Sequence, residues 1–304
     1  VYFPTFNELI NSIRIQAKNF SKVAMISRTH GQPATPTTFG KEIANFGYRA
    51  NELGYKLRNI GIKGKLNGAV GNFNAHYEVR DDFDWFSHSK VLIEKLGLEF
   101  NPYTTQIENH DSMGEILNYI SSINVVLIDL CRDLYGYSGF DYFNNPSVTN
   151  CTKAEGELIV SNSFLRNLSI KLPISRFQRD LSDSTTMRNL GVAFSHSIKA
   201  MNILASIIQE MDLDKERISA EIDDHWELLA EPMQTILRFN KFKDPYELLK
   251  EHTRGKKFTK ESYFSLISQL EVPDDIKQKL LEITPENYLG KAVDLSENLK
   301  DFLK

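Results

Sequence analysis

Apolar residues return every three or four positions along three long stretches of this chain. Phe39, Ile43, Phe46, Ala50, Leu53, Leu57 and Ile60 form the first stripe, and Ile116, Ile120, Ile123, Leu127, Leu130, Leu134 and Tyr137 the second. Met187, Leu190, Phe194, Ser197, Met201, Leu204, Ile208 and Met211 form the third. Each keeps an a/d-like spacing for about three heptads, which predicts helices roughly 35 Å long. A helix of that length needs neighbours along its whole face, so the pattern points to a bundle completed by other copies of the chain. A shorter amphipathic helix precedes them, with Phe6, Leu9, Ile10, Ile13, Ala17 and Phe20 on one face. Alternating strand patterns are scarce, and the chain reads as nearly all-α.

The pattern changes near Asp212-Leu213-Asp214. Beyond it the predicted helices shorten and are broken at Pro232, Pro245, Pro273 and Pro285. The expected division is a long-helix bundle domain over 1–211 and a smaller helical domain over 212–304, with Trp226, Leu228 and Leu229 in the second core. A length of 304 residues agrees with two domains.

Composition narrows the function. A formal charge of −4 with interspersed signs offers no field for a polyanion, so nucleic acid is not an expected partner. No run approaches the ~20 consecutive apolar residues of a membrane span, and no membrane partner is expected. Cys131 and Cys151 form no C-x-x-C pair, and neither zinc nor a disulfide framework is expected; Cys131 reads as a buried, inert thiol. With no signal peptide and no initiator Met, the chain reads as a cytoplasmic protein taken from within a longer sequence. The Arg254-Gly255-Lys256-Lys257 cluster reads as a solvated turn.

Ser27-Arg28-Thr29-His30-Gly31-Gln32-Pro33-Ala34-Thr35-Pro36 carries the richest chemistry. A histidine in a Gly/Pro-punctuated turn ahead of a long helix can serve as a general acid or base near neutral pH, or it can simply cap that helix. Gly61–His76 is glycine-rich without matching a dinucleotide or phosphate loop, and reads as a loop of close backbone approach from which Lys65 and Asn67 can face a site. Tyr103-Thr104-Thr105-Gln106-Ile107-Glu108 offers hydroxyls and an amide at the start of the second long helix; the motif alone favours capping. Ser175–Arg188 sets Arg176, Arg179 and Arg188 around a Ser/Asp/Thr-rich helix start. Arginine forks beside free helix N–H groups make an anion site, or else Asp183 or Ser184 is an N-cap flanked by solvated arginines. His76 and His110 follow turn-like motifs and can hold a site's shape, whereas packing or solvation accounts for His196 and His225.

Taken together, SRTHGQPATPTTFGKE, GKLNGAVGNFNAH, NPYTTQIE, LPISRFQRDLSDST and DHWELLAEPMQT resemble the segments of adenylosuccinate lyase, in the fumarase/aspartase superfamily, in that family's order. The resemblance is to the bacterial-type branch and runs almost end to end. It implies an all-α long-helix bundle completed by tetramerisation, with active sites shared between three subunits. It implies non-hydrolytic β-elimination of fumarate from adenylosuccinate and from SAICAR, with no cofactor and no metal. By resemblance His30 protonates the leaving nitrogen, Thr29 holds a succinyl carboxylate and Gln106 binds the succinyl portion. Arg179, Ser184, Thr185 and Arg188 take the phosphate and succinyl oxygens.

Two departures stand beside it. The family's mobile loop, G-S-S-x-M-P-x-K-x-N, whose serine removes the Cβ proton, belongs between Phe143 and Glu155, where this chain has NNPSVTNCTKA. Ser147 lies in no such motif and receives no role. A region preceding Val1, with a further histidine and part of the phosphate site, is also expected in the family. The expectation is that the sequence omits segments of a longer enzyme. The alternatives are a sister fumarate-releasing lyase and a non-catalytic scaffold that lost the base. A chain break over 144–154 would mark omission, and a continuous connection would favour the scaffold.

Overall fold

In the computed structural model, which describes residues 1–242 and 258–304, five long helices carry the fold. They are α1 (Tyr2–Asn19), α2 (Phe39–Arg58), α5 (Asp111–Ser138), α6 (Cys151–Lys171) and α8 (Leu190–Gln209). The expected face of α1 is buried from Phe6 to Phe20, and so are Phe39, Ile43, Phe46, Ala50 and Leu57 on α2. The second stripe is the core face of α5, where Ile120, Ile123, Leu127, Leu130 and Leu134 are almost wholly covered. The third is split: a short α7 (Ser182–Met187) ends at Met187, and α8 begins after a turn at Arg188 and Asn189.

Helix α6 is absent from the sequence expectation. Its core face is Cys151, Ala154, Leu158, Ser161, Asn162, Leu165 and Leu168, a heptad register filled largely by small and polar residues. Those residues let α5, α6 and α8 pack closely around a hydrogen-bonded centre. Asn124, fully buried, donates to Ser161 Oγ at 3.1 Å and to Asn162 Oδ1 at 3.0 Å, and accepts from Ser197 Oγ at 2.7 Å. Ser161 donates in turn to the Ala193 carbonyl at 2.8 Å. One polar network thus sets the axial register of three helices.

The connections run antiparallel. Phe39, opening α2, lies edge-on to Tyr137 near the end of α5 (5.7 Å between centroids), and just beyond the far end of α2 the Lys63 amide donates to Ser112 at the start of α5. Along α6, Glu155 pairs with Arg132 and Arg166 donates to Ser121, so α6 runs back along α5.

Between Phe143 and Glu155 the chain is continuous. A 3₁₀ helix, Pro146–Asn150, runs straight into α6 and buries Val148 in the large core. The region between α2 and α5 holds α3 (Asn74–Val79), α4 (Trp85–Lys95) and a parallel bridge of β3 (Lys63–Gly64) with β4 (Glu99–Phe100).

Strand structure is scarce, as expected, but one hairpin matters: β1 (Ala24–Thr29) pairs antiparallel with β2 (Gln32–Thr38). The Thr38 hydroxyl caps α2, accepting from the Lys41 amide at 3.1 Å.

Past α8, Met211, Leu213 and Ile218 still belong to the large core, and Leu299 returns to it from the chain's last residues. A separate core forms around Trp226, Leu229, Met233, Leu237, Tyr263 and Leu280. Trp226 and Leu229 are buried as expected, while Leu228 is half-exposed. Helix α9 (Lys215–Asp223) packs on β1, and α10 (Ala230–Phe239) carries Pro232 in its first turn, where a missing N–H costs little, so Pro232 does not break the helix. Pro273 precedes the helix Asp274–Glu282 and Pro285 lies in a loop. Pro245 and the 254–257 cluster lie outside the described residues.

Two stretches, Asp111–Ser138 and Ser182–Gln209, are long and apolar enough to cross a membrane by length and composition, each with a hydropathy of 1.3. Here the first is α5 and the second is α7 with α8; both stretches are about half buried, and their apolar stripes face the core.

Candidate active site

His30 and Gly31 form the two-residue loop of the β1–β2 hairpin, with φ of 53° and 74°. A tight hairpin loop of this kind takes left-handed backbone at both positions. Glycine accepts that freely, whereas a histidine there costs of order 1 kcal/mol. The imidazole and Thr29 are therefore held at the hairpin tip, both exposed in the single chain. His30 does not cap α2, since Thr38 does.

The tip is braced from behind. The Arg28 guanidinium lies 4.1 Å over the Phe140 ring, and its Nη1 donates to the Gly31 carbonyl at 3.3 Å. Its Nη2 donates to the Glu221 carboxylate, which also accepts from the Tyr142 hydroxyl at 2.5 Å. Burial and this carboxylate push the Tyr142 phenol well above its ordinary range. On the other strand Thr35 donates to Glu231 at 2.7 Å. The hairpin therefore sits at the C-terminal end of α5, gripped by the chain beyond residue 212.

The second group of candidates lies at the opposite end. The Gln106 backbone N–H and the Thr105 hydroxyl donate to the Gln178 backbone carbonyl at 3.2 and 2.8 Å, which ties the start of α5 to the Ser175–Arg188 segment. Thr104 donates to Asn67 Oδ1 at 2.9 Å. Asn67 is fully buried, and a side chain at Gly71 would meet the Thr104 carbonyl at 2.2 Å. The glycine-rich stretch is thus the expected loop of close backbone approach. Lys65 donates to the Gly68 carbonyl at 2.5 Å, and burial lowers its pKa.

The expectation that 103–108 caps α5 is not met. His110, in left-handed backbone (φ 63°), precedes that helix with no side-chain cap, and its amide donates to Glu108. Nor is Asp183 or Ser184 an N-cap. Asp180 accepts from the Ser182 amide at 2.6 Å and from Arg176 at 2.9 Å, leaving the Ser184 and Thr185 hydroxyls outside any capping role. Arg179, Thr185 and Arg188 are exposed and Ser184 half-exposed. Arginine forks and unspent hydroxyls on one short segment can take a phosphate or carboxylate.

Among the other histidines, His76 lies edge-on to Trp85 at 5.0 Å, and His196 and His225 pair with Glu157 and Glu227.

The structure therefore brings Gln106 together with the Arg179 segment and keeps His30 and Thr29 away from both. Between the two groups runs α5, whose 28 residues span about 42 Å. Sequence reasoning missed Glu221, Tyr142 and Phe140, the braces of the hairpin. No local signal marks Glu221, because its partner Arg28 is 193 residues away in sequence.

Comparison with known proteins covers the segments that hold these residues. A family model described as Lyase matches residues 2–153, and one described as Adenylosuccinate lyase C-terminal matches residues 175–289. Adenylosuccinate lyase of Escherichia coli K12 is 39% identical over 315 positions, covering 99% of this chain and 69% of the relative. The Haemophilus influenzae enzyme is 39% identical over 314 positions, covering 98% and 69%. Since 315 aligned positions exceed the 304 residues of this chain, the E. coli relative has residues there that this chain lacks. Among solved structures, a fumarate lyase from Mesorhizobium sp. BNC1 superposes with a TM-score of 0.75 at 15% identity, covering 97% of this chain and 71% of that one. The 3-carboxy-cis,cis-muconate lactonizing enzyme from Pseudomonas putida does so with 0.75 at 17%, covering 98% and 70%. At such identities these two show the fold.

Proposed function

This chain belongs to the adenylosuccinate lyase family, and on that premise we propose that its two residue clusters are halves of one active site, joined by different copies of the chain. It is a carbon–nitrogen lyase: adenylosuccinate is split without water into AMP and fumarate, and SAICAR into AICAR and fumarate.

The observation that carries the shared-site reading is the separation of His30 from Arg179 by the length of α5. In one chain they cannot touch a single nucleotide. In a bundle whose copies pack antiparallel, the hairpin end of one chain lies beside the Arg179 end of another. Val125, Ile159, Val160 and Val192, exposed on the outer faces of α5, α6 and α8, supply apolar surface for that packing, and we take the assembly to be a homotetramer.

In the elimination, the Cβ–H electron pair becomes the new carbon–carbon double bond and the C–N pair moves onto nitrogen. The departing nitrogen needs a proton, and the developing dianion needs cations or N–H donors. His30, projecting from a braced hairpin tip, supplies that proton. Thr29 beside it holds a succinyl carboxylate and Gln106 the rest of the succinyl group. Arg179, Ser184, Thr185 and Arg188 take the phosphate and remaining succinyl oxygens. No group in this chain is assigned as the base. The bundle over 1–211 and the helical region from 212 act as two domains, with α9 and the last helices docked on the first. A cytoplasmic setting accords with Cys131 and Cys151, two buried thiols left unpaired.

In this chain the 3₁₀ turn Pro146–Asn150 occupies the stretch between Phe143 and Glu155, and Ser147 in it receives no role. Fumarate release from adenylosuccinate tests the assignment of the acid. The lyase reading expects turnover that falls roughly 10²–10⁴-fold in His30→Gln with the melting temperature unchanged. A histidine with a merely structural role would show the reverse, an early melt with normal turnover.

A further inference from the structure

We propose that Glu221, on α9, is a positioning residue that fixes the aim of His30, an inference that rests on His30 being the acid of the proposed reaction. The Glu221 carboxylate takes Arg28 and Tyr142, with no hydrogen bond or ion pair of its own to His30. It acts through Arg28, whose guanidinium is clamped between the Glu221 carboxylate and the Phe140 ring while Nη1 holds the Gly31 carbonyl. That carbonyl belongs to the residue after His30, inside the two-residue loop, so its direction sets the plane of the His30–Gly31 loop.

The clamp is built rather than incidental. The Arg28 and Glu221 side chains are 18% and 11% exposed, so the pair is largely shielded from water and the charge on each needs the other. The second Glu221 oxygen takes the Tyr142 hydroxyl at 2.5 Å, and Tyr142 stacks on Tyr137 of α5 at 5.9 Å with nearly parallel rings. The carboxylate is thereby referenced to the bundle as well as to its own helix. A left-handed, non-glycine position such as His30 (φ 53°) holds only where its surroundings over-determine it, and this chain of contacts is what does so. The Glu221–Arg28–Gly31 link also couples the aim of the acid to the seating of α9.

The test is a double-mutant cycle on the intact chain. Glu221→Gln keeps the shape and one acceptor but removes the charge that holds Arg28. It should lower kcat for fumarate release at least tenfold with KM within about twofold, and should add nothing further in a His30→Gln background, because both act through the same imidazole. Glu221→Asp should recover part of the loss. Should Glu221→Gln fail to fold, Arg28→Lys serves instead: it keeps the charge paired with Glu221 but gives up the fork that reaches Gly31, and should show the same kcat loss. Wild-type kcat in the folded Glu221→Gln or Arg28→Lys protein, or full additivity with His30→Gln, would overturn the proposal. Normal turnover in His30→Gln alone would instead overturn the assignment of the acid on which it rests.

Discussion

Replacing Asn124 by leucine tests how the bundle is registered. Its amide and carbonyl make three hydrogen bonds at 2.7–3.1 Å to Ser161, Asn162 and Ser197, with no part of the side chain exposed. Leucine fits a similar volume but meets none of these groups. Ser161 keeps the Ala193 carbonyl as acceptor. Asn162 Oδ1 loses its donor and Ser197 Oγ its Asn124 acceptor. At roughly 1–3 kcal/mol for each stranded group, the loss should be about 2–6 kcal/mol, a large share of a domain's margin. Denaturant unfolding at fixed protein concentration should show a lower midpoint with an unchanged slope. Adding Ser197→Ala in the Asn124→Leu background should return part of that loss, since the hydroxyl left without its Asn124 acceptor is removed with it. A single Asn124→Leu within about 0.5 kcal/mol of wild type would refute the idea that this network holds the three helices in register.

Other expectations follow from the same structure. Arg179→Ala should raise KM and lower kcat, for a combined loss of roughly 10–10³-fold, and Arg179→Lys should recover only part of it because the planar fork is gone; unchanged kinetics in both variants would remove Arg179 from the site. Burial, with Asp129 and Glu42 nearby and only partly offset by Arg49, raises the Asp133 carboxyl to about 6. The folded protein thus holds this proton more tightly than the unfolded chain, whose carboxyl titrates near ~3.9, so stability falls as pH rises through the window between the two. Asp133→Asn should raise the unfolding free energy at pH 7 by about 1 kcal/mol, with a higher melting temperature, and change little at pH 4. Equal effects at both pH values would contradict the assignment.

The long stripes on α2 and α5 were readable because large aliphatic residues mark them, and burial follows that marking position by position. Helix α6 was hidden because Cys151, Ala154, Ser161 and Asn162 hold its core positions, chosen for close approach and for hydrogen bonding to Asn124 rather than for hydrophobicity. The hairpin was legible only at its tip, where His30-Gly31 announces a turn. Its strands carry Pro33, Pro36 and four threonines, which suit a two-stranded edge but show no alternation. The site motifs were legible as chemistry but not as geometry. Nothing local to Thr29-His30 or Arg179 says that α5 will set them apart, and nothing near Arg28 names Glu221.

The central claim, that His30 and Arg179 act in one site only when they come from different chains, is tested by subunit complementation. His30→Gln and Arg179→Ala proteins, each depleted in fumarate release, are unfolded, mixed in equal amounts and refolded together. Random assembly places an intact His30 beside an intact Arg179 in about one quarter of the sites, and the mixture should recover about that fraction of wild-type turnover. Recovery no greater than the mean of the two parents, in a mixture shown to have exchanged subunits, would contradict the shared site.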